Sequence, residues 1–300
     1  MIKIFKIDNI SANQRLDKYL KRKFSSLGHS FIEKNLRKKN ILVNNKLIKS
    51  NYIVKIDDEI KIKNFSEKVY TNFEKEKSKI YINKSLKQSF EKSILFENEN
   101  FLVLDKWFGI ATQGGTNISM SIDTIIKSIS SEYNLVHRLD KETTGLLIIA
   151  KNLKFTKIFG QIFKSQKLKK TYLALCDGKP KMKESLLDLL INSKDKVKTI
   201  KTKTYYRVLS NNQKISLIKF EPKTGKKHQL RIVAKNLGCP IVGDLKYNLN
   251  KTKQKENLKL NAFKLHFFIG TDEFNFQSRL PKDFIGYMKS KNIKFDFKTI

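Results

Sequence analysis

Hydrophobic positions in the first 65 residues predict a small α+β unit with two helices followed by strands. Apolar residues recur at helical spacing over 16–24, after a capping-box pattern at 11–14 that would start the helix. A second capping-box pattern at 30–33 predicts another short helix. Apolar runs around turn residues then predict two hairpins, over 41–48 and 54–62. The unit therefore ends near residue 65.

Residues 66–92 are polar, mixed in charge and poorly periodic, which predicts a linker. The remainder, 93–300, alternates apolar runs with a few helical patterns. Strand-like runs cover 94–96, 101–104, 146–150, 172–176 and 215–220, and helical patterns cover 121–131 and 153–163. Because strands and helices do not alternate regularly, we expect an α+β fold with a mixed, largely antiparallel sheet.

Charge changes the picture, because 62 Lys+Arg against 28 Asp+Glu gives a net charge of +34. Polyanions such as nucleic acids are the first partners to consider. Lysine-rich coding bias inflates this total, however, since only seven basic residues are arginines. These are Arg15, Arg22, Arg37, Arg138, Arg207, Arg231 and Arg279. A retained arginine can mark a site that needs a planar, bidentate guanidinium.

Other classes of protein lack support in the sequence. No run approaches the ~20 apolar residues of a membrane span, and the charged amino terminus has no secretory apolar stretch. Cys176 and Cys239 form no CxxC pair, and the four histidines are scattered, so we expect a cytoplasmic protein without a metal site. Phosphate-binding glycine motifs and the protein-kinase signatures are also missing.

The densest cluster of unusual residue types is HRLDKETTG at 137–145, which runs directly into the apolar run 146–150. Asp140 stands here beside a buried strand, with a cation two residues away. Two interpretations are open: a rigidly held carboxylate that a ligand can reach, or a loop aspartate that caps a turn through Thr143 or Thr144.

The whole segment HRLDKETTGLLIIAK resembles the HRLDxxTSGLLLxAK signature of the RluA/RluC/RluD family of pseudouridine synthases. Three further segments resemble motifs of the same family in the same order: LKKTYLALCDGKP, PKTGKKHQLRI and GCPIVGDLKY. The amino-terminal segments RLDKYLKRKF and GHSFIEKNLRKKNILVNNKLIKSNYIVKIDDEIKI resemble an S4 RNA-binding domain. The resemblance thus implies an S4 domain at 1–65, a linker at 66–92 and a pseudouridine synthase domain at 93–300.

The resemblance implies three catalytic residues. Asp140 matches the catalytic aspartate, which must be ionised when the substrate arrives. Arg231 matches the guanidinium that favours this ionised form. Tyr172 matches the tyrosine that stacks on the flipped uracil and serves as the general base for the C5 proton. A free phenol would need help from the site to act as a base.

Further residues are expected to meet RNA. Arg138 matches the arginine that fills the stack vacated by the extruded uridine. The remaining candidates are His137, His228 and Gln229 in the synthase domain, and Arg22, Lys34, Arg37 and Lys38 on the S4 helices. The histidines and Gln229 can equally be structural.

The order of domains and the segment at 113–115 look most like the C-type enzymes that modify 23S ribosomal RNA. We therefore expect isomerisation of uridines in large-subunit rRNA by a monomer, without metal or cofactor. A D-type or tRNA-directed synthase is one alternative, and a non-catalytic S4 factor for ribosome assembly is another. Departures from the family pattern include Trp107 after Lys106, Thr144 for serine and Asn261 for histidine.

Overall fold

The computed structural model describes residues 1–24, 27–70, 82–115, 118, 120–192, 199–249 and 256–300. The chain divides into two units, Met1–Tyr81 and Ile82–Ile300. Within the described part of the chain, every helix is too short or too polar to cross a membrane.

The first unit packs two helices against short strands. Its elements are β1 (Lys3–Lys6), β2 (Gln14–Arg15), α1 (Leu16–Lys23), α2 (His29–Arg37), β3 (Ile41–Val43), β4 (Ile53–Val54), β5 (Glu59–Ile62) and α3 (Glu67–Tyr70). Strands β1, β5 and β3 form an antiparallel sheet in that order, and β2 pairs with β4. The apolar faces of α1 and α2 meet these strands in one core.

Both helices are confirmed, but both predicted capping boxes are wrong. Helix α1 begins after Arg15 and α2 after Gly28, and neither has a side-chain cap. The Ser11 hydroxyl instead accepts a hydrogen bond from Arg22 Nη2 at 3.0 Å, and Ser30 lies inside α2. A capping motif in sequence selects a helix start only when the preceding loop leaves its side chain free.

The predicted hairpins are only partly correct. The turn at Asn44 and Asn45 is confirmed, since both residues are left-handed (φ 50° and 60°) as a type I′ turn requires. No strand follows it at 47–48, where the chain leaves the sheet after a single bridge at Lys46. Strand β4 pairs with β2, and strand β5 pairs with β1 and β3, so β4 and β5 do not form the predicted hairpin with each other.

The segment predicted as a linker is helical at both ends. Helix α3 lies in the first unit, and a helix of ten residues, α4 (Lys84–Ser93), opens the second. The Asn83 side chain caps α4 by accepting from Leu86 N at 2.8 Å, and Phe90 is buried. Leu86 packs against the same core, so two apolar residues hold a helix that shows little periodicity. Residues 71–81 lie outside the described part of the chain.

The second unit is built on a large mixed sheet. Its strands are β6 (Ile94–Glu97), β7 (Phe101–Lys106), β8 (Asn134–Leu135), β9 (Thr144–Ala150), β10 (Lys169–Asp177), β11 (Glu184–Asn192), β12 (Thr199–Asn211), β13 (Ile215–Pro222), β14 (Leu260–Ile269) and β15 (Asp272–Gln277). Its further helices are α5 (Ile122–Ile129), α6 (Leu153–Lys164), α7 (Gln229–Asn236) and α8 (Lys282–Ser290), with a 3₁₀ turn at Phe297–Thr299.

The strand order is β11-β12-β13-β10-β14-β9-β7-β6, with β15 on β14 and β8 on β9. Among the described strands every pairing is antiparallel except that of β14 with β9. The expected α+β fold with a largely antiparallel sheet is therefore confirmed, as are the strand and helix patterns predicted beyond residue 93.

Strand β9 is buried along its whole length and separates two cores. Leu147 and Ile149 pack with α5 on one face, and Leu146 and Ile148 pack with α6 on the other, as the alternation of a strand requires. The sheet branches where β14 leaves β9 for β15. At this branch Gly145 has φ +103°, and a Cβ there would lie 2.4 Å from the carbonyl oxygen of Ala262. Only glycine fits.

Candidate active site

The loop that leads into β9 presents Arg138 and Asp140 on either side of a buried anchor. Leu139 is buried, and Thr112 holds its main chain by accepting from Leu139 N at 3.1 Å and donating to Leu139 O at 2.7 Å. Arg138 is exposed, and the Asp140 side chain is 19% exposed. A rigid loop thus leaves both charged groups accessible.

The turn after Asp140 is closed by the main chain, because Thr143 N donates to the Asp140 carbonyl oxygen at 3.1 Å. Within the described part of the chain, the Asp140 carboxylate caps no turn and accepts no hydrogen bond. Of the two interpretations of this aspartate, the geometry favours the accessible carboxylate.

Asp140 opens onto a cavity of about 500 Å³. The cavity brings together all the site residues predicted in the synthase domain. They are Arg138, His137, Asp140, Tyr172, His228, Gln229 and Arg231. They come from the loop before β9, from strand β10, and from the start of α7, so residues far apart in sequence share one chamber.

His228 lies close to Asp140. Its Nε2 lies 3.8 Å from Asp140 Oδ2, and its Nδ1 lies 3.1 Å from the hydroxyl of Tyr247. His228 is left-handed (φ 56°) at the start of α7, a conformation that histidine adopts more often than most residues other than glycine. Burial lowers the pKa of His228, with Asp140 opposing and Arg231 adding to the shift. The imidazole is therefore neutral at pH 7.

Arg231 is held chiefly by a buried carboxylate that the sequence reasoning did not single out. Its Nε and Nη2 donate to the two oxygens of Asp244 at 2.8 and 2.7 Å, and Glu142 Oε2 lies 3.6 Å from Nη1. Burial disfavours the charged guanidinium, but the hydrogen bonds and charge of Asp244, together with the charges of Asp140 and Glu142, outweigh it and raise the pKa of Arg231. The direct ion pairs of Arg231 are therefore with Asp244 and Glu142, and its effect on Asp140 stays a prediction.

Tyr172 lies on β10 beside a bulge, where it pairs with Phe220 of β13 and Ala262 of β14. Burial raises the pKa of its phenol, and the negative charge of Asp140 raises it further. The expected general base needs a pKa lowered by the site, and the shift runs the other way. The ring, half-buried between two apolar clusters, suits stacking on a flat base.

One ring nitrogen of His137 and the side-chain amide of Gln229 are already used within the protein. His137 Nε2 accepts from Ile148 N at 2.8 Å, and burial lowers the pKa of this histidine to about 3. The Gln229 amide accepts from Lys226 N at 3.0 Å and donates to Thr204 Oγ1 at 2.9 Å. Both residues fix the loops that form the cavity wall. Their contact with RNA stays a prediction.

Besides Asp244, two residues of this region escaped the sequence reasoning. Tyr247 orients His228, and its ring centroid lies 5.3 Å from Arg231 Cζ. Lys106 is buried below the Asp140 loop, where its ammonium donates to the carbonyl oxygens of Trp107, Ile110 and Lys141. Burial lowers the pKa of Lys106 to about 7. Only its place before Trp107, where the sequence departs from the family pattern, could have indicated it.

The predicted RNA-binding cations of the first unit are all exposed on or beside α1 and α2. Arg22 donates to the Ser11 hydroxyl and Arg37 Nε to Glu33 O at 3.4 Å, which leaves most donors of both guanidiniums open. Lys34 on α2 and Lys38 at its end add further positive charge to this surface. In the part of the chain described here, no group of histidine, cysteine or carboxylate side chains could hold a metal ion.

Comparison with known proteins places this geometry in a family. A family model described as RNA pseudouridylate synthase matches residues 100–236. The chain is 36% identical to ribosomal large subunit pseudouridine synthase C of Rickettsia felis, over 91% of this chain and 95% of that protein. It is 31% identical to the protein of the same name from Buchnera aphidicola subsp. Baizongia pistaciae, over 94% of this chain and 95% of the relative.

A solved structure supports the fold. Human RNA pseudouridylate synthase domain containing 4 superposes with a TM-score of 0.62 at 24% identity, covering 70% of this chain and 97% of that one. The motifs around Asp140, the sheet that carries them and the relatives across nearly the whole chain agree. The chain belongs to the RNA pseudouridylate synthase family, whose members are RNA isomerases.

Proposed function

We propose that this protein converts uridine to pseudouridine in large-subunit (23S) ribosomal RNA, as a C-type enzyme. The observation that carries the proposal is the meeting of Asp140, Tyr172 and Arg231 at one cavity. The rRNA substrate rests on the curated relatives, which are named for the large ribosomal subunit.

The reaction breaks the bond between C1′ and N1, turns the uracil and joins C1′ to C5. The C5 proton passes to solvent and N1 takes up a proton from solvent, so there is no net redox change and no cofactor is required. Asp140 attacks C1′, adds to C6, or promotes loss of the C2′ proton. Each role needs an unencumbered carboxylate, and both oxygens of Asp140 are free of hydrogen bonds among the described residues.

The other site residues divide the remaining tasks. Tyr172 stacks on the uracil as a protonated phenol. Arg231, fixed by Asp244, supplies positive charge opposite Asp140. Arg138 is exposed beside the cavity and fills the stack that the extruded uridine leaves, which the flat guanidinium does better than a lysine.

The first unit is assigned to RNA binding as an S4 domain at 1–65, followed by a linker at 66–92 and the synthase domain at 93–300. Its exposed cations Arg22, Lys34, Arg37 and Lys38 would meet the phosphate backbone. We further propose a monomer that works in the cytoplasm without a metal.

The test is tritium release from a 23S rRNA transcript that carries [5-³H]uridine, with a tRNA transcript beside it. Wild type should release tritium from the rRNA, and Asp140→Asn should release none while still binding RNA. Equal release by the variant would overturn the role of Asp140. If wild type bound the rRNA but released no tritium, the non-catalytic assembly factor would be favoured. If wild type released tritium only from the tRNA transcript, the tRNA-directed enzyme would be favoured. Mapping by carbodiimide and primer extension separates C-type from D-type targets.

A further inference from the structure

A second cavity of about 490 Å³ adjoins the one that contains Asp140. It extends along strands β10, β13 and β14, away from the catalytic carboxylate. Five residues line both cavities: Phe163, Gln166, Lys170, Pro222 and Lys223. The two cavities are therefore neighbours that share these residues. Together they are called the groove, and the proposed uridine pocket is the part that contains Asp140.

Glu221 is the acidic side chain that lines the second cavity, and it is paired within the protein. Glu221 is paired with Lys219 at 2.9 Å, and the His266 ring faces Glu273 at 2.7 Å. Among the described residues, Lys169, Lys170 and Lys223 of this cavity have no ion-pair partner. The groove thus carries an uncompensated positive charge, which suits an anionic strand.

Lys170 stands at the junction of the two cavities. It lies two residues from Tyr172 on β10, and both side chains line the Asp140 cavity. Its side chain is partly buried, yet in the described part of the chain its ammonium has neither a carboxylate nor a hydrogen-bond acceptor. Burial lowers the pKa of Lys170, so a bound anion would stabilise the charged form.

Phe163 adds an apolar surface at the same junction. Its ring is half-buried against His137, with the centroids 4.9 Å apart, and it lines both cavities. A cation next to an accessible aromatic ring is the combination that single-stranded nucleic acids use, with phosphate on the cation and base on the ring.

We propose that the second cavity binds the nucleotide next to the target uridine, with Lys170 holding the phosphodiester that joins the two and Phe163 stacking on the neighbouring base. This deepens the proposed function and rests on it. The uridine enters at Asp140, and the strand leaves over Lys170 along the groove.

The first experiment compares Lys170→Met with Lys167→Met, which removes the same charge from an exposed position outside both cavities. Lys170→Met should lower kcat/KM for the rRNA substrate by about 10-fold to 100-fold, the scale of one charge-assisted contact. It should also reduce the slope of log Kd against log salt by about 0.7, as loss of one phosphate contact predicts. Lys170→Arg should restore most of the kcat/KM and most of the salt slope. Equal behaviour of the two methionine variants would overturn the proposal.

The second experiment neutralises one phosphate at a time. Methylphosphonate is placed 5′ or 3′ of the target uridine in a short RNA. At one of these linkages the methylphosphonate should lower the activity of wild type by about the factor that Lys170→Met causes on the unmodified RNA. At the same linkage the methylphosphonate should lower the activity of Lys170→Met only slightly further. Insensitivity of wild type at both linkages, or additive losses at both, would sink the assignment. The wild-type measurements do not depend on the folding of any variant.

Equilibrium binding keeps this proposal apart from the proposed function. If wild type bound the RNA but made no pseudouridine, the proposed function would fail. The contact of Lys170 with the flanking phosphate would still be read from the Kd values of wild type and Lys170→Met for the unmodified RNA and for the two methylphosphonate RNAs.

Discussion

His228 Nε2 lies 3.8 Å from Asp140 Oδ2, and this approach is set from behind by Tyr247, whose hydroxyl lies 3.1 Å from Nδ1. With the imidazole neutral, one tautomer of His228 suits both Tyr247 and Asp140. Tyr247 O–H donates to Nδ1, and the ring proton on Nε2 faces the carboxylate, which can only accept. Tyr247 thereby selects the tautomer that Asp140 meets.

Tyr247→Phe should lower kcat by about 5-fold to 10-fold, the equivalent of one neutral hydrogen bond. The KM for RNA should change less than kcat, because Tyr247 does not line the Asp140 cavity. The matched control is Tyr205→Phe, which removes an exposed hydroxyl that donates to Glu184 at 2.7 Å. Steady-state kinetics on the rRNA transcript check this. If both variants kept wild-type kcat, the tautomer would not matter.

Arg138 gives a prediction that depends on the state of the RNA. Its guanidinium is exposed and has no ion-pair partner among the described residues, so it is free to enter a base stack. Arg138→Ala should lower kcat/KM on folded rRNA by at least about 10-fold, since unstacking a base costs a few kcal/mol. On a short single-stranded RNA the loss should be much smaller.

The control for Arg138 is Lys141→Ala, which removes a charge from an exposed residue of the same loop. It should affect both RNAs alike. Equal losses by Arg138→Ala on folded and single-stranded RNA would mean that the side chain binds phosphate rather than replacing a base.

Local patterns predicted the elements of the fold better than their pairing. The run 146–150 contains only apolar residues because β9 is buried along its length. Its composition was therefore enough to predict a strand. The parallel pairing of β9 with β14 joins residues more than a hundred positions apart, and no local signal carries it. The same applies to β4 and β5, which adjoin in sequence yet pair with other strands.

The candidate site divides in the same way. Asp140, Tyr172 and Arg231 lie in recognisable motifs, so resemblance could indicate them. Whether a residue's polar atoms are free depends on neighbours from other elements. His137 is tied to Ile148 and Arg231 to Asp244 by tertiary contacts, and the pKa shift of Tyr172 comes from burial. These features follow only from the folded chain.

Gly145→Ala should destabilise the second unit by at least about 3 kcal/mol, because a left-handed φ and a backbone clash act together. The added Cβ would lie 2.4 Å from Ala262 O at the branch of the sheet. Trp107, the single tryptophan, lies in this unit and reports its unfolding in urea. Gly160→Ala is the control, since nothing lies within 4 Å of its Cβ in α6 and its φ is ordinary. It should be neutral or slightly stabilising, and equal stability of the two variants would contradict the clash.

His137 predicts how stability depends on pH. Burial lowers its pKa from 6.5 to about 3, so the folded protein holds the neutral ring while the unfolded chain binds a proton below pH 6.5. The stability from this site is complete above pH 6.5 and is lost as the pH falls toward 3, by up to about 1.4 kcal/mol per pH unit. His137→Gln keeps an acceptor for Ile148 N but cannot titrate. Urea unfolding followed by Trp107 fluorescence from pH 7 to 4.5 should therefore show a steeper loss for wild type than for the variant. Parallel curves would mean that His137 is protonated in the folded state.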